Sequence, residues 1–379
     1  MPQTSPVFGS AHTARRASAV HRKQRGAVAI VVAIFLPILI TIAALAIDIS
    51  NLMLVKNELQ NAADAAAQAG AQCLYRRTEC GNVTNTVPDW STAHTRATLA
   101  VPNNAAQGTA LADSVVTSGY WNVTGTPNTL QLLPHTPGAN DAPAVQVTIA
   151  KESGKNAGSV TLYLAGLMGL RNTDLSATAI SVVTSPGTEG PGGLFPFAIT
   201  KCMYDAYWDS ATSLPKNATT STLNGVPQTI GQPWKFRLGT DVQTLPDGTT
   251  CDGGQWTSFK LDTNNVPNIR TLISEGNPTT LAIGDMTWIQ PGVQATIYSS
   301  ANDCSAAGSK ACEYATAPVT LKASVKGEEP ILAFGCLHIL LASQSKKYIE
   351  VQMSNICPNP EGGGTGPDYG VHNPPRLAL

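Results

Sequence analysis

Eight cysteines are the side chains in this sequence with the widest choice of chemistry. As thiolates they could bind a metal or act as nucleophiles, and in an oxidising compartment they would form disulfides. No CxxC pair occurs, which disfavours a redox enzyme and a zinc ribbon. The even count predicts disulfides, with buried reduced thiols as the alternative. The candidates are Cys73, Cys80, Cys202, Cys251, Cys304, Cys312, Cys336 and Cys357.

The pairing of these cysteines cannot be derived from the sequence. Closeness along the chain alone makes Cys73 with Cys80 and Cys304 with Cys312 the simplest guesses.

The remaining residues show no arrangement typical of an enzyme site. The sequence has no G-x-S-x-G elbow, no P-loop and no HExxH motif. His94, His135, His338 and His372 have no carboxylate or cysteine at ligand spacing, so we expect surface or hydrogen-bonded structural roles. We therefore predict a protein that is not an enzyme and has no catalytic residue, no cofactor and no metal.

An uncharged segment of 21 residues, 27–47, predicts one membrane-spanning helix. At about 1.5 Å of rise per residue it covers the roughly 30 Å hydrocarbon core. The basic run from His21 to Arg25 precedes it, and the positive-inside rule keeps that run in the cytoplasm. Everything from Asp48 onward, including all eight cysteines, is then expected to be exported.

A cleaved signal peptide is the alternative for this segment. Ala44-Leu45-Ala46 offers an A-x-A cleavage site after an apolar run. However, the run is long for a signal peptide, and the helical pattern continues through the cleavage point. These two features favour an uncleaved anchor.

Charge beyond the span argues against nucleic acid as a partner. The first 47 residues hold five Lys or Arg and no Asp or Glu, and the chain totals are 24 basic and 25 acidic residues. This leaves 19 basic and 25 acidic residues on the exported side. Binding of phosphates needs clustered positive charge, and no such stripe is present.

The helix is predicted to continue past the span as an amphipathic stalk to about Cys73. Apolar and small residues recur at heptad-like spacing, and Asp48 is the exception on the apolar face. An alanine-rich run, 62–71, permits very close approach of a neighbour. That neighbour is either the protein's own sheet or a partner helix in self-association. Two rows of residues repeat every seven positions along this face: Leu45, Leu52, Leu59, Ala66 and Cys73 form one, and Val55, Ala62 and Ala69 form the other.

Residues 48–184 are predicted to form the stalk helix and a first α+β domain, in which the helix lies on an antiparallel sheet. A short helix is expected over 90–103. Turn clusters divide the strand candidates, which are 114–123, 144–150, 159–164 and 175–184.

A Gly/Pro linker, 185–193, is predicted to lead into a second, β-rich domain, 194–357, held by up to three disulfides. One helix is expected over 266–275. The tail, 358–379, is predicted to be flexible because it is rich in Gly and Pro. The strand candidates of the second domain are 234–238, 255–261, 294–298, 319–325, 331–341 and 348–353.

The residues around the span are more specific than an anchor requires. The order is a basic run, Gly26, the uncharged helix, Asp48-Ile49-Ser50-Asn51 and then the run from Lys56 to Ala71. This order resembles the N-terminal region of the TadE/TadG-like Flp pilus-assembly proteins, the TadG-like branch most closely. Further similarities are Gly119-Tyr120-Trp121, Val145-Gln146-Val147-Thr148 and Leu175-Ser176-Ala177-Thr178-Ala179.

Two properties of related proteins are not expected here. Prepilins are cut after a Gly and carry Glu at the fifth residue beyond the cut, but that position after Gly26 is Val31. Many TadG-like proteins carry a von Willebrand A domain with a D-x-S-x-S metal motif. The fragment at Asp48 lacks the second hydroxyl, and the fragment at Asp174 opens a strand, so neither predicts such a domain.

The resemblance implies a membrane-anchored, non-catalytic component of a Flp (tight adherence) pilus-assembly or secretion system acting in the periplasm. It implies a single pass through the inner membrane, a cytoplasmic N-terminus and other pilus components as partners. The alternative function is a surface or periplasmic adhesin whose disulfide-bonded β domain binds a ligand.

Overall fold

The structure of the protein is a computed structural model that describes nine stretches of the chain. They are 25–75, 80–81, 87–138, 140–239, 242–260, 266–290, 295–323, 326–357 and 362–378. Of the basic run from His21 to Arg25, only Arg25 lies within them. The described residues form two compact units, one from 25–52 and 161–172, and one from 53–160 and 173–378.

The helices match the sequence prediction closely in the N-terminal quarter. Helix α1 runs without interruption from Arg25 to Gln72, as predicted for a span that continues into a stalk. The predicted short helices over 90–103 and 266–275 are also present. The others in chain order are α2 (Trp90–Ala100), α3 (Lys201–Tyr207), α4 (Val266–Glu275) and α5 (Ala295–Cys304), with 3-10 turns at Val101–Asn103 and Ala165–Met168.

Eleven of the described strands form the two main sheets. They are β1 (Val115–Asn122), β2 (Gln131–Leu132), β3 (Asp141–Lys151), β4 (Leu175–Val182), β5 (Phe197–Thr200), β6 (Phe236–Leu238), β7 (Gly254–Trp256), β8 (Tyr314–Thr320), β9 (Ala333–Ser343), β10 (Tyr348–Met353) and β11 (Arg376–Leu377). The first sheet is antiparallel, in the order β11-β4-β3-β1-β2. The second has the order β6-β10-β9-β8-β5-β7, and its only parallel pair among the described strands is β5 with β8.

Shorter strands of two to four residues lie outside the two main sheets. They are Ala105–Ala106, Thr109–Ala110, Val160–Thr161, Asn172–Thr173, Thr188–Glu189, Trp208–Asp209, Leu214–Pro215, Thr222–Leu223, Val226–Pro227, Val242–Thr244, Thr250–Asp252, Leu281–Ala282, Met286–Ile289 and Gly327–Pro330.

The second half of α1 packs on the first sheet, as the heptad-like pattern predicts. Side chains along one face are fully buried, among them Val55, Leu59, Ala62, Ala63, Ala66, Ala67 and Ala71. Polar side chains fix the register, since the Lys56 ammonium donates to the carbonyl of Ser176 and Gln60 Nε2 donates to that of Thr178 at 3.2 Å. The alanine face is therefore used within the chain and is not available to a partner helix.

The four disulfides involve all eight cysteines. Both sequence guesses are confirmed, because Cys73 pairs with Cys80 and Cys304 pairs with Cys312. The other two pairs are Cys202–Cys251 and Cys336–Cys357. Three of the four lie in the region predicted as the β-rich domain, so the fold is α+β with a disulfide-containing β region.

One predicted strand is wrong, because 295–304 form helix α5. Its β-branched residues suggested a strand, but the buried side chains Ile297, Tyr298 and Ala301 recur at helical spacing. The disulfide from Cys304 to Cys312 lies at the end of this helix.

Three further predicted strands differ from the structure, and one of them, expected over 255–261, is β7, which ends at Trp256. The strand expected over 319–325 is β8, which begins earlier, at Tyr314, where alanines and Pro318 weakened the strand pattern. The strand expected over 159–164 is reduced to Val160–Thr161, because the following backbone N–H groups bind a carboxylate instead of a strand.

The segment 185–193, predicted as a linker, is a packed part of the larger unit. Thr188 and Glu189 pair with Ala282 and Leu281, and Glu189 is almost fully buried. A Cβ on Gly187 would lie 2.8 Å from the carbonyl oxygen of Thr365, so its lack of a side chain serves close packing. The small residues that suggested a flexible linker allow backbone segments to approach each other.

The prediction of a flexible tail is wrong for 362–378. Strand β11 extends the first sheet, and Asn373 Nδ2 donates to Thr184 Oγ1 at 2.9 Å. The Tyr204 hydroxyl donates to the carbonyl oxygen of Tyr369 at 2.5 Å, and Tyr369 and Val371 are buried. Both sheets thus contact the C-terminal segment and belong to one compact unit, not to two separate domains.

Gly70 tests the close packing of α1 on α2 and on the first sheet, where Val145 Cγ1 of β3 would lie 3.1 Å from a Cβ at this position. A Cβ there would lie 2.9 Å from the Ala93 carbonyl oxygen and 2.9 Å from Ala97 Cβ. We expect Gly70→Val to lower the free energy of unfolding by about 2 kcal/mol, because neither neighbour can withdraw without moving α2. The measurement is urea unfolding of the full chain in detergent, followed by tryptophan fluorescence. The control, Ala69→Val at the half-buried neighbouring position, should cost about 0.6 kcal/mol through helix propensity; equal losses would contradict the packing argument.

Candidate functional site on the N-terminal helix

The first half of α1 exposes apolar side chains over its whole circumference. From Val28 to Ile47 the large apolar residues are about half exposed or more, for example Val28 at 64%, Phe35 at 57% and Leu39 at 60%. Among the described residues, α1 is the one helix whose length and composition would let it cross a membrane. Water is a poor solvent for such a surface, whereas lipid is a good one.

The Asp48 carboxylate marks the point where the uncharged segment ends. Its side chain is only 3% exposed. Its oxygens accept backbone hydrogen bonds from Tyr163 at 2.8 Å, Leu164 at 3.1 Å and Ala165 at 2.7 Å. Asn51 Nδ2, one turn further on, donates to the Thr161 carbonyl at 3.3 Å. These contacts fix the segment 161–172 to α1 within the smaller unit.

This geometry explains why Asp48 departs from the apolar pattern of the stalk. The first N–H groups of a 3-10 turn have no partner within the turn, so a carboxylate is a suitable acceptor for them. The sequence signal was a lone carboxylate directly after the span. Its partners, more than a hundred positions away, could not be identified from the sequence.

The two fragments that resemble a metal motif do not assemble one. The Asp48 oxygens are occupied by backbone N–H groups, and Ser50 Oγ donates to the Ala46 carbonyl at 2.7 Å. Asp174 accepts from Ser159 Oγ at 2.5 Å. Within the described stretches, no group of three or more His, Cys, Asp or Glu is placed to hold a metal ion.

A second candidate is a cleft of about 620 Å³ in the larger unit, lined by residues that include Tyr75, Asp141, Ser213, Asp368 and His372. The Ser213 hydroxyl donates to Asp368, and His372 Nε2 lies 3.3 Å from the other carboxylate oxygen. A hydrolase needs the histidine between serine and carboxylate so that it can take the serine proton. Here the carboxylate lies between the other two, so His372 does not activate Ser213.

The electrostatics of the cleft favour a structural role for Asp368. Burial raises the pKa of this carboxyl, but the charge of His372 and hydrogen bonds from Ser213 and Gly370 outweigh it and leave the pKa below its usual range. The ring of His372 also stacks on that of Tyr75, with centroids 3.6 Å apart. The cluster therefore fixes the C-terminal segment to the turn that follows α1.

Two families of pilus-assembly proteins match this chain. Residues 26–72 match the family described as "Putative Flp pilus-assembly TadE/G-like", and residues 53–181 match the one described as "Putative Tad-like Flp pilus-assembly". Residues 26–181 are thus similar to Tad-like pilus-assembly proteins. This confirms the resemblance carried by the span, the stalk and the first sheet. No curated protein and no solved structure matches the chain.

The Tad-like matches correspond to elements of the structure. The shorter match covers α1 almost completely, and the longer one runs from Met53 to within β4. The chain is accordingly similar to Flp pilus-assembly proteins over α1 and most of the first sheet. The helix and the first sheet are the parts that carry this relationship.

Asp48→Asn tests the attachment of 161–172 to α1. An amide offers one acceptor oxygen and turns an NH₂ group toward three N–H donors, so the attachment should weaken. We expect the amides of 163–165 to exchange hydrogen about tenfold faster in the variant, measured by mass spectrometry on the full chain in detergent. The control is Asp174→Asn, an exposed carboxylate in the larger unit. Unchanged exchange at 163–165 in Asp48→Asn would rule out the attachment.

Asp368 predicts a pH dependence of stability. Because its pKa is lowered in the folded state, its contribution is fully present above the unfolded value of about 3.9 and is lost as pH falls through the folded value. Asp368→Asn should therefore lower the free energy of unfolding by about 2 kcal/mol at neutral pH and by less at low pH. Unfolding curves between about pH 7 and pH 3 measure this. The exposed Asp303→Asn serves as control, and parallel profiles for the two variants would refute the assignment.

Proposed function

We propose that the protein is a membrane-anchored, non-catalytic component of a Flp (tight adherence) pilus-assembly or secretion system. The observation that carries the proposal is the match of 26–181 to two pilus-assembly families. Its N-terminus lies in the cytoplasm, α1 crosses the inner membrane once, and the rest of the chain acts in the periplasm. Its partners are the inner membrane and other components of the same assembly.

The charge distribution around the apolar segment supports this orientation. Five Lys or Arg and no acidic residue occur up to position 47, and all five precede the apolar segment. Basic residues of this kind remain on the cytoplasmic side during insertion. The first acidic residue, Asp48, follows immediately.

The disulfides support a periplasmic location for the larger unit. All eight cysteines follow the apolar segment and all are paired. Disulfides persist in the bacterial periplasm and are rare in the reducing cytosol. A cytoplasmic location would leave the same cysteines as thiols.

The contacts in the cleft support a role without catalysis. The polar side chains that could do chemistry there are bonded to each other or to backbone groups. Asp141, for example, accepts from Gly138 N, Asn122 Nδ2 and Gln131 Nε2 at 2.8 to 3.0 Å. Such contacts are typical of side chains that hold loops in place. We propose that the protein positions other components and does not transform a substrate.

Labelling with a membrane-impermeant maleimide tests this topology. The native cysteines are all paired, so a single added cysteine is the reactive site. In spheroplasts we expect labelling of Thr220→Cys, an exposed residue of the larger unit, and none of Ser10→Cys until the membrane is lysed. The reverse pattern would exclude the proposed orientation.

The role in assembly is tested in a strain that makes thin pili. Removing the protein should abolish pili seen by electron microscopy, and both single-cysteine variants should restore them. Normal pilus numbers without the protein would overturn the proposed function, whatever the topology.

A further inference from the structure

The segment 161–172 forms the smaller unit together with the apolar half of α1. Its sequence, Thr-Leu-Tyr-Leu-Ala-Gly-Leu-Met-Gly-Leu-Arg-Asn, is apolar apart from its ends and holds a single charge, Arg171. A hydrogen bond from Leu162 N to the Arg171 carbonyl at 2.9 Å closes it into a compact loop. We call the segment 161–172 the membrane-proximal loop.

The attachment point of the membrane-proximal loop is fixed by Asp48. This residue is the first one after the uncharged segment 27–47, and its carboxylate binds the N–H groups of Tyr163, Leu164 and Ala165. The loop is therefore held at the level where the uncharged segment of α1 ends. A carboxylate at that depth is satisfied by backbone donors instead of water.

Two of the exposed side chains of the loop, Tyr163 and Leu170, are large and apolar where water would favour polar ones. Tyr163 is 65% exposed and Leu170 is 64% exposed. These exposed fractions are close to that of Leu39 in the apolar segment, 60%. Single surface leucines are common in soluble proteins, but Tyr163 and Leu170 lie in the same compact unit as the exposed Leu45 and Ile47 of α1.

We propose that the membrane-proximal loop is a second membrane contact, which inserts Tyr163 and Leu170 into the boundary between headgroups and acyl chains of a phospholipid bilayer. Tyrosine favours this boundary because its ring is apolar and its hydroxyl is polar. Arg171, which is exposed, can reach lipid phosphates while its stem stays among apolar groups. The loop and the helix thus attach the chain at two points, which restricts rotation of α1 about its own axis.

This inference rests on the proposed membrane anchor, so the test separates the two. Three leucines of similar exposure are replaced one at a time by cysteine and labelled with a nitroxide. They are Leu39 in the apolar segment at 60%, Leu170 in the loop at 64% and Leu99 in the larger unit at 62%. The full chain is reconstituted into phospholipid vesicles, and paramagnetic resonance measures collision of each label with oxygen, which concentrates in lipid, and with a nickel chelate, which stays in water.

The expected result is an oxygen-to-nickel collision ratio several-fold higher at Leu39 and Leu170 than at Leu99. Adding Asp48→Asn should lower the ratio at Leu170 and leave Leu39 unchanged, because only the loop depends on that carboxylate. A high ratio at Leu39 with Leu170 equal to Leu99 would overturn the loop contact and leave the anchor intact. Low ratios at both Leu39 and Leu170 would overturn the anchor itself.

Discussion

The close approach of α1 to the first sheet is the interaction on which the larger unit depends. Its buried face consists mostly of alanines, and each buries little apolar surface, so the stabilisation comes from many short contacts and not from a few large side chains. Small side chains bring the helix axis near the strands, and at Gly70 the contact is closest to Ala93 and Ala97 of α2. Lys56 and Gln60 can then donate hydrogen bonds to backbone carbonyl groups of β4. These carbonyls lie in the part of β4 that precedes its pairing with β11.

The C-terminal segment is the second constraint, because it connects the cores of the two sheets. Tyr369 belongs to the core of the second sheet, and Ala378 packs against the cluster of Trp121, Ile180 and Val182 in the first. Asp368 and Asn373 of the same segment together bind backbone and side-chain groups from both regions. A short segment can do this since several of its polar groups have defined partners, and these contacts offset the entropy of ordering a Gly- and Pro-rich chain.

The sequence predicts those parts of the fold that are set by local pattern. The bounds of α4 and β10 coincide with the prediction, and the continuity of α1 follows from uninterrupted helical periodicity. What it could not predict depends on contacts between distant residues. The role of Asp48 requires N–H groups 115 to 117 positions away. The many glycines and prolines in 185–193 and 362–378 show that these segments have little apolar side chain to bury. That composition does not distinguish a flexible segment from one whose backbone packs closely against other parts of the chain.

The topology of the first sheet explains why a domain boundary near position 185 fails physically. Strands β4 and β11 are neighbours, yet β4 ends at Val182 and β11 begins at Arg376. All strands of the second sheet therefore lie in sequence between β4 and β11, which are neighbours in the first sheet. The Tad-like match ends at Ser181, inside β4, whereas the sheet is completed almost two hundred residues later. A first domain cut after Thr184 would lack the strand that covers the end of β4 and would expose Ser181 and Val182, both buried in the intact chain.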